Sequence, residues 1–267
     1  MAAVFFRTEE VMNSSDNTPG SVTGLEQFLK KLGVRTRDCD FATFRRCVDE
    51  AIARGDEAFR PPPSPFWQDE KIEQMVEPHS AVLDIGCGQG DLLARLAEKR
   101  RSQVQGIEID QENVIRCIEH GIPTYHGNAE TAIAEFPDGS YDYAVLQNTV
   151  QTLHNPLYIL NELLRVARRA FISFPNFAHW QVRLAFSLGG RMPVTANLPS
   201  TWYNTQNIHL CSINDFVDWT QSAGVRILEA WALANGEVIQ YLPEHNLISE
   251  HALFMVEKAG SSSSAAG

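Results

Sequence analysis

The sequence lacks a long apolar run, a Cys-x-x-Cys pair and an excess of basic residues. A membrane-spanning helix needs about 18 or more consecutive apolar residues, and no stretch approaches that length. The 33 acidic and 22 basic residues give a formal net charge of −11, which disfavours nucleic acid and anionic membranes as partners, because both attract basic surfaces. The cysteines are Cys39, Cys47, Cys87, Cys117 and Cys211. Their spacing predicts no metal site and is typical of reduced thiols in a cytoplasmic protein.

The glycine-rich segment after the first predicted strand also lacks the dinucleotide fingerprint Gly-x-Gly-x-x-Gly. Glycines occupy alternate positions, at Gly86, Gly88 and Gly90, and Asp91 stands where the fingerprint needs its third glycine. An acidic residue at the start of a helix also opposes a pyrophosphate. The spacing Asp84-x-Gly-x-Gly-x-Gly instead resembles motif I of class I S-adenosyl-L-methionine (SAM) methyltransferases. The resemblance implies a turn that approaches the methionine part of SAM or S-adenosylhomocysteine (SAH). A glycine turn without a ligand is the alternative.

A second acidic residue, Glu108, lies near the end of the second predicted strand. It follows Gly90 by 18 residues, close to the offset of about 20 at which an acidic side chain reaches a ribose diol in such folds. A carboxylate can accept both hydroxyl protons. Asp110 is a rival for this role, but we interpret it as the N-cap of the helix that begins at Gln111. We interpret Cys87, inside the turn, as a small filling residue, because no motif supplies it with a base.

The alternation of apolar runs with helical periodicity predicts an α/β fold with a mostly parallel sheet. Strands are predicted near 81–86, 103–109, 123–126, 141–147, 169–174, 225–234 and 251–258. Helices are predicted near 90–100, 111–119, 129–135, 156–167 and 215–223, the last with Ser212 or Asn214 as its N-cap. Residues 1–65 are predicted to be a partly disordered extension with short helices near Leu25–Leu32 and Phe41–Ala53 and a Pro-rich end. The main domain is predicted at 66–258, followed by a disordered tail at 259–267.

Polar residues follow the third and fourth predicted strands. Class I methyltransferases often have an Asp after the third strand that bonds the adenine amino group, and here Asn128 can accept that bond without a charge. The backbone N–H of Ala129 can serve the same ring. The alternative is that Asn128 only caps the next helix. Gln147 ends the fourth strand, in the crevice where open α/β sheets bind ligands.

The sequence carries no catalytic signature that we can identify. The Asn-Pro-Pro-Tyr motif that amino-directed methyltransferases often have after the fourth strand is absent, and no histidine is paired with a carboxylate by spacing. We interpret His154 as a lone surface histidine. The catalytic residues therefore stay unassigned. Because methyl transfer from a sulfonium can proceed by positioning alone, this absence does not exclude an enzyme.

An insertion of about 35 residues, at 176–211, separates the fifth strand from the next helix. Connections of this length are often functional, and the large side chains with polar tips found here suit a substrate or partner surface. The residues predicted for that surface are Asn176, His179, Trp180, Trp202, Tyr203 and His209. A packed cap over the sheet edge is the alternative.

The motifs of this region resemble the methionine biosynthesis protein W (MetW) family. They are Phe174-Pro175-Asn176-Phe177-x-His179-Trp180-x-x-Arg183, Met192-Pro193-Val194-Thr195 and Trp202-Tyr203-x-Thr205-x-Asn207-Ile208-His209-x-Cys211. The resemblance covers about 72–258 and departs at Asn128 and Gln206, where the family usually has Asp and Pro. It implies a class I methyltransferase (Rossmann-like) sheet of seven strands with an insertion after the fifth strand. It also implies a protein that works with homoserine O-acyltransferase in methionine biosynthesis.

Two functional hypotheses follow from these observations. The first is a MetW-like accessory protein with a SAM-binding fold that binds and activates a homoserine O-acyltransferase. The second is a SAM-dependent methyltransferase that acts on a small-molecule acceptor. A degenerate fold that has lost its ligand is a third, weaker alternative.

Overall fold

The computed structural model describes residues 62–195 and 197–260, together with Arg46, Glu50, Ala53 and Arg54. The helix predicted near Leu25–Leu32 lies outside the described residues. So do most of the helix predicted near Phe41–Ala53 and residues 261–267 of the predicted tail.

The described ranges form one sheet of eight strands, and helices alternate with most of these strands along the chain. The predicted α/β fold class is therefore confirmed. The strands are β1 (Ala81–Ile85), β2 (Gln103–Glu108), β3 (Thr124–His126), β4 (Tyr141–Gln147), β5 (Ala167–Pro175), β6 (Val225–Ala234), β7 (Glu237–Gln240) and β8 (Ser249–Lys258). Their order across the sheet is β3-β2-β1-β4-β5-β8-β6-β7. The five strands β3, β2, β1, β4 and β5 pair in parallel, whereas β8 pairs antiparallel with both β5 and β6. The predicted mostly parallel sheet is confirmed, and its β8-β6-β7 edge is antiparallel.

Helices connect the strands and cover both faces of the sheet. They are α1 (Trp67–Met75), α2 (Asp91–Arg100), α3 (Gln111–Glu119), α4 (Ala129–Ala132), α5 (Pro156–Val166), α6 (Trp180–Gly189) and α7 (Ile213–Ser222). Short 3₁₀ turns occur at Ile133–Glu135, Val150–Thr152 and Pro243–Leu247. Ser212 caps α7 in a capping box with Asp215, so the first of its two predicted N-caps is confirmed. No helix among these described residues has the length and hydropathy needed to cross a bilayer.

The core lies on both faces of the sheet because adjacent residues of the central strands are both apolar. In β1, Leu83 belongs to one buried cluster and the adjacent Val82 to the other. In β5, Ile172 and Phe171 divide in the same way. Side chains of α5 and α7 contribute to the first cluster, and those of α1, α2 and α3 to the second. This is the burial expected of parallel strands between two helical layers.

The sheet has one strand more than the seven predicted. The additional strand, β7, forms a hairpin with β6 through Asn235 and Gly236, which have φ values of 52° and 75°. Two consecutive residues with positive φ are typical of the type I′ turn that Asn-Gly favours. The dipeptide was therefore the signal for this strand, but its four residues are too few to show a clear alternation.

Two helices of the structure were not predicted, and both have weak apolar periodicity. In α1, the polar Gln68 and Asp69 are buried beside Trp67 and Ile72, so the buried face does not appear apolar in the sequence. The other, α6, lies within the insertion. Within residues 62–260, the five predicted helices form within one or two residues of their expected ends, although the one at 129–135 divides into α4 and a 3₁₀ turn.

Candidate functional site

The candidate site lies at the carboxyl ends of β1, β2 and β4. Strand β2 pairs with one edge of β1, and β4 pairs with the opposite edge of β1. The strand order therefore reverses between β1 and β4, and a crevice at such a switch point is where open α/β sheets bind ligands. The structure brings Asp84, Glu108 and Gln147 to this edge, at or next to the ends of the three strands.

The glycine turn is held against β2 and crowded by the segment after β4. The backbone N–H of Gly86 donates to the carbonyl of Ile107 at 2.8 Å. Gly86 has a φ of 74°, and a Cβ placed on it would lie 2.9 Å from Thr149 Oγ1. Gly88 also has a positive φ, of 56°, but a Cβ there would meet nothing within 4 Å. Glycine is therefore required at position 86 by both the backbone conformation and the contact with Thr149, and at position 88 by the backbone conformation alone.

This difference predicts unequal effects of alanine at the two positions. Gly88→Ala should reduce the free energy of unfolding by about 1–2 kcal/mol, because only the left-handed backbone is penalised. Gly86→Ala should lose a further ~1–3 kcal/mol, because its methyl group also collides with Thr149. Urea denaturation of both variants measures the difference. Adding Thr149→Ala to Gly86→Ala should recover part of the loss, whereas equal destabilisation of the two single variants would contradict the steric explanation.

The carboxylate of Glu108 organises the turn and the start of α3. Its Oε2 accepts a hydrogen bond from the Gly88 N–H at 2.8 Å, and its Oε1 accepts from the N–H groups of Ile109 and Asp110, both at 2.8 Å. A carboxylate has about four acceptor positions, so at least one stays available to a ribose hydroxyl. Asp110 Oδ1 accepts from the N–H groups of Glu112 and Asn113. The predicted N-cap role of Asp110 is confirmed, which leaves Glu108 as the acid of the turn.

Asp84 is a buried carboxyl group with an unsatisfied oxygen. Only 3% of the residue is exposed, and Oδ1 has no hydrogen-bond partner among the described residues. Burial, reinforced by the charges of Asp69 and Glu108, raises the pKa of Asp84 to about 8. A buried oxygen without a donor is costly unless a ligand completes it. The site therefore fits the methionine end of SAM, which is cationic and whose ammonium group would supply the missing donor.

The start of α1 extends this acidic region with residues that were not predicted. Gln147 Nε2 donates to Gln68 Oε1 and to Asp69 Oδ1, both at 2.9 Å. The side chains of Asn148 and Ser173 also donate to Gln68 Oε1, each at 3.1 Å. Burial is the main reason that the pKa of Asp69 is raised. Gln68 and Asp69 carry no motif, so only the position of α1 over the crevice reveals them.

Asn128 lies after β3 and caps α4. Its Oδ1 accepts a hydrogen bond from the Glu130 N–H at 2.8 Å, which is the alternative role considered from the sequence. The residue is exposed, and Ala129 follows it as the first residue of α4. The cap does not use the second lone pair of the amide oxygen, so the adenine contacts predicted for Asn128 and Ala129 stay predictions.

The cysteine of the turn is a packed thiol. Cys87 Sγ lies 3.9 Å from Cys117 Sγ and fills the space in front of Gly106, where a Cβ would approach it to 2.4 Å. Burial raises the pKa of the Cys87 thiol, so the reactive thiolate is disfavoured. The interpretation of Cys87 as a filling residue agrees with this placement. In the described ranges, no three His, Cys, Asp or Glu side chains form a possible metal site.

Half of the residues predicted for a substrate or partner surface are buried. Asn176 Nδ2 donates to the carbonyls of Asn246 and Ser249 at 2.7 and 2.8 Å, and its Oδ1 accepts from backbone N–H groups. His179 and Trp180 are also buried, and burial lowers the pKa of His179 to about 3. These three side chains fix the base of the insertion, so they are corrected from surface to interior positions. The packed-cap alternative describes this half of the insertion.

The other half of the insertion is exposed. Trp202 and Tyr203 are 71% and 74% exposed and contact each other edge to face, and His209 is also exposed. The backbone N–H groups of Ile208 and His209 donate to the carbonyl of Gln151, just beyond β4. Trp202 and Ile208 also line a cavity of about 260 Å³. The insertion thus places an aromatic surface next to the β4 end of the crevice.

Proteins of known sequence are similar to this chain. A family model for methionine biosynthesis protein MetW matches residues 68–256. The bifunctional methionine biosynthesis protein MetXA/MetW of Rhodopirellula baltica is 32% identical over 228 residues, which is 80% of this chain and 36% of that protein. A demethylmenaquinone methyltransferase of Lysinibacillus sphaericus is 30% identical over 111 residues, 38% of this chain and 46% of that enzyme. The chain thus spans less than half the length of these relatives.

Solved structures with the same fold include SAM-dependent methyltransferases. A possible histamine N-methyltransferase of Thermotoga maritima has a TM-score of 0.54 at 16% identity and covers 80% of this chain and 97% of its own. A TehB-like methyltransferase of Corynebacterium glutamicum has a TM-score of 0.51 at 16% identity, with 81% and 97% covered. These similarities show the class I methyltransferase fold. With the family match over 68–256, they establish that this chain belongs to the MetW family of methionine biosynthesis proteins.

Proposed function

We propose that this protein binds SAM at the carboxyl edge of β1, β2 and β4 and acts with a homoserine O-acyltransferase, whose activity it increases. The observation that carries the SAM site is the pair of acids at this edge. Glu108 holds the Gly88 N–H and keeps an acceptor position available, while Asp84 is buried with one oxygen unsatisfied. A ligand with a ribose at one end and positive charge at the other satisfies both groups.

The partner is inferred from the family and from one relative. The Rhodopirellula protein is named as a bifunctional MetXA/MetW protein, so a MetW part and a MetXA part share one polypeptide there. The chain described here spans 36% of that protein, which leaves room for the other part. We infer that the MetW part and the acyltransferase part associate for this protein as well.

An accessory role agrees with the side chains around the crevice. The amide groups of Gln147 and Asn148 are occupied by Gln68, as described above. Burial lowers the pKa of His179 to about 3 and that of His251 to about 4, so both are weak bases. His154 is exposed, as the sequence predicted. The two buried histidines are therefore poor general bases, which agrees with the accessory role.

An acylation assay tests this proposal. Homoserine acylation by the cognate acyltransferase is measured alone, with this protein, and with this protein and SAM, while SAH is quantified in the same samples. We expect acylation to rise when the protein is added, to change again with SAM, and to proceed without stoichiometric SAH. Unchanged acylation in all three conditions would refute the accessory role, whereas SAH formation with a defined acceptor would favour the methyltransferase alternative.

The acidic crevice also predicts a preference for SAM over SAH. SAM carries a sulfonium charge that SAH lacks, and Asp69 and Asp84 lie at the methionine end without an equal number of cations. Arg95, the cation that acts on Asp69, is paired with Glu73 at 2.9 Å. Attraction of a charge in a partly buried site is on the order of 1–2 kcal/mol, or about tenfold in affinity. We expect SAM to bind about tenfold more tightly than SAH.

Asp69→Asn should reduce that preference by weakening SAM binding and leaving SAH binding nearly unchanged. Competition between the two ligands in equilibrium dialysis measures the ratio. Glu98→Gln removes the same unit of charge from an exposed position of α2 and serves as the matched control. If Glu98→Gln and Asp69→Asn change the ratio equally, the effect belongs to the overall charge of the protein and not to the crevice.

A further inference from the structure

The insertion differs in composition from the rest of the chain. Residues 176–211 contain no Asp, Glu or Lys, although the whole protein has 33 acidic residues and a net charge of −11. Their charged side chains are those of Arg183 and Arg191. Interfaces between proteins are depleted of Asp, Glu and Lys at their centres and enriched in aromatic residues, Met and Arg. The composition of the insertion is thus that of an interface.

Large apolar side chains are exposed on this segment. We define its apolar face by Met192 (42% exposed), Val194 (50%), Trp202 (71%), Tyr203 (74%), Ile208 (51%) and Leu210 (53%). Single exposed apolar residues are normal on a soluble protein, but a group in one short segment marks an interaction site. Four of these six side chains also line the cavity of about 260 Å³, so the face has a depression that can receive a side chain.

The apolar face stands on a fixed base, which reduces the entropy lost when a partner binds. Within the same insertion, Asn176 and Trp180 are buried. At one end, the N–H groups of Ile208 and His209 bond to the Gln151 carbonyl at 2.9 and 3.0 Å. A preorganised surface loses less conformational freedom on association than a mobile loop does.

Further hydrogen bonds, which begin at the side chain of Gln151, connect the apolar face to the candidate SAM site. Gln151 Nε2 donates to the Asn148 carbonyl at 2.7 Å, and Asn148 Nδ2 donates to Gln68 Oε1 at 3.1 Å. Gln68 in turn receives a bond from Gln147 at the end of β4. The segment that follows β4 is therefore bonded both to the insertion and to the crevice, so the two surfaces share one structural element.

We propose that the apolar face of the insertion is the surface on which the homoserine O-acyltransferase docks. This inference rests on the proposed function, since that function supplies the partner. The complementary surface on the acyltransferase is apolar at its centre, with Trp202 and Tyr203 as the anchors, and carries a carboxylate at its rim opposite the exposed Arg191. The fused Rhodopirellula relative supports this occupant, because fusion holds the two parts together.

Binding to the purified acyltransferase tests this surface. The double variant Trp202→Ala/Tyr203→Ala is compared with the whole wild-type chain and with Ile115→Ala/Ile118→Ala. Ile115 and Ile118 are exposed apolar residues of α3, 48% and 63% accessible, and lie outside the insertion. We expect the first variant to weaken binding at least about 100-fold and the control to bind as the wild type does. SAM binding by both variants should be unchanged, which shows that each is folded.

Each contrary result has a distinct meaning. If the wild type binds the acyltransferase and the Trp202/Tyr203 variant binds equally well, this docking surface is wrong while the proposed function stands. If the wild type does not bind the acyltransferase at all, the proposed function fails. If light scattering shows that the wild type is a dimer and the Trp202/Tyr203 variant is a monomer, the occupant is a second copy of this chain, and docking of the acyltransferase on this face is refuted.

Discussion

Glu108→Ala is expected to weaken SAM binding at least about 100-fold. In the proposed complex the carboxylate accepts a ribose hydroxyl, and hydrogen bonds to a charged group are worth about 1.5–3 kcal/mol each. The same carboxylate holds the Gly88 N–H at 2.8 Å, so its loss also releases the turn that approaches the ligand. The combined loss corresponds to two or more factors of ten in affinity. Equilibrium dialysis with labelled SAM measures it.

Glu112→Ala is the matched control for this experiment. Glu112 is an exposed carboxylate in the first turn of α3, four residues from Glu108. The control should retain wild-type affinity. Thermal melting of both variants shows how much of the Glu108→Ala effect is unfolding. If a folded Glu108→Ala protein binds SAM as tightly as the wild type, the ligand does not use this edge of the sheet.

Asp84→Asn is expected to remove a pH dependence that the wild type shows between about pH 4 and pH 8. Burial and the charges of Asp69 and Glu108 raise the pKa of Asp84 from 3.8 to about 8 in the native protein. The native state therefore binds one proton more than the unfolded state across this window. Stability that is present below the unfolded pKa is lost as the pH rises towards 8, with a slope of at most about 1.4 kcal/mol per pH unit.

The affinity for SAM should have the opposite pH dependence and rise with pH, because the cationic end of SAM favours ionised Asp84. Binding should therefore release a proton from Asp84 and tighten up to about tenfold per pH unit as the pH rises towards 8. Calorimetry in two buffers of different ionisation enthalpy measures the proton released. Asp84→Asn should bind more weakly and release none, while Asp218→Asn, an exposed Asp of α7, should behave as the wild type does. Equal proton release by wild type and Asp84→Asn would contradict this assignment.

The parts of the fold that follow strong local rules were predictable from the sequence. The helix at Gln111–Glu119 has an N-cap at Asp110 and a strong apolar stripe, and it begins and ends at the predicted residues. The central strands are continuous apolar runs between helices, which indicate a parallel sheet. By contrast, β7 is four residues long and depends on the Asn235-Gly236 turn, so periodicity alone could not find it.

The acids of the candidate site were predictable by spacing, but their partners were not. Asp84 and Glu108 occupy positions that the glycine pattern specifies, and the structure brings both to one edge. Gln68 and Asp69 come from α1, and their approach to Gln147 results from tertiary packing over a separation of nearly eighty residues. No local pattern encodes such a contact. It converts the end of β4 from an open crevice into a polar network that a ligand must rearrange or join.

For the insertion, the sequence predicted a functional surface but not which of its residues are exposed. Its length and aromatic residues predicted a functional surface, but they could not separate the residues that support the surface from those that form it. Trp180 and Trp202 have the same side chain, yet the first is fully buried and the second is 71% exposed. The difference arises because Trp180 begins α6 and packs into the core, while Trp202 lies in a turn beyond it.

Titration calorimetry of the whole wild-type chain with SAM at pH 8 tests most directly whether the edge formed by β1, β2 and β4 is a SAM site. We predict saturable binding of one SAM per chain, tighter than that of SAH under the same conditions. No saturable heat at millimolar SAM, or binding that persists unchanged in a folded Glu108→Ala/Asp84→Asn protein, would contradict it.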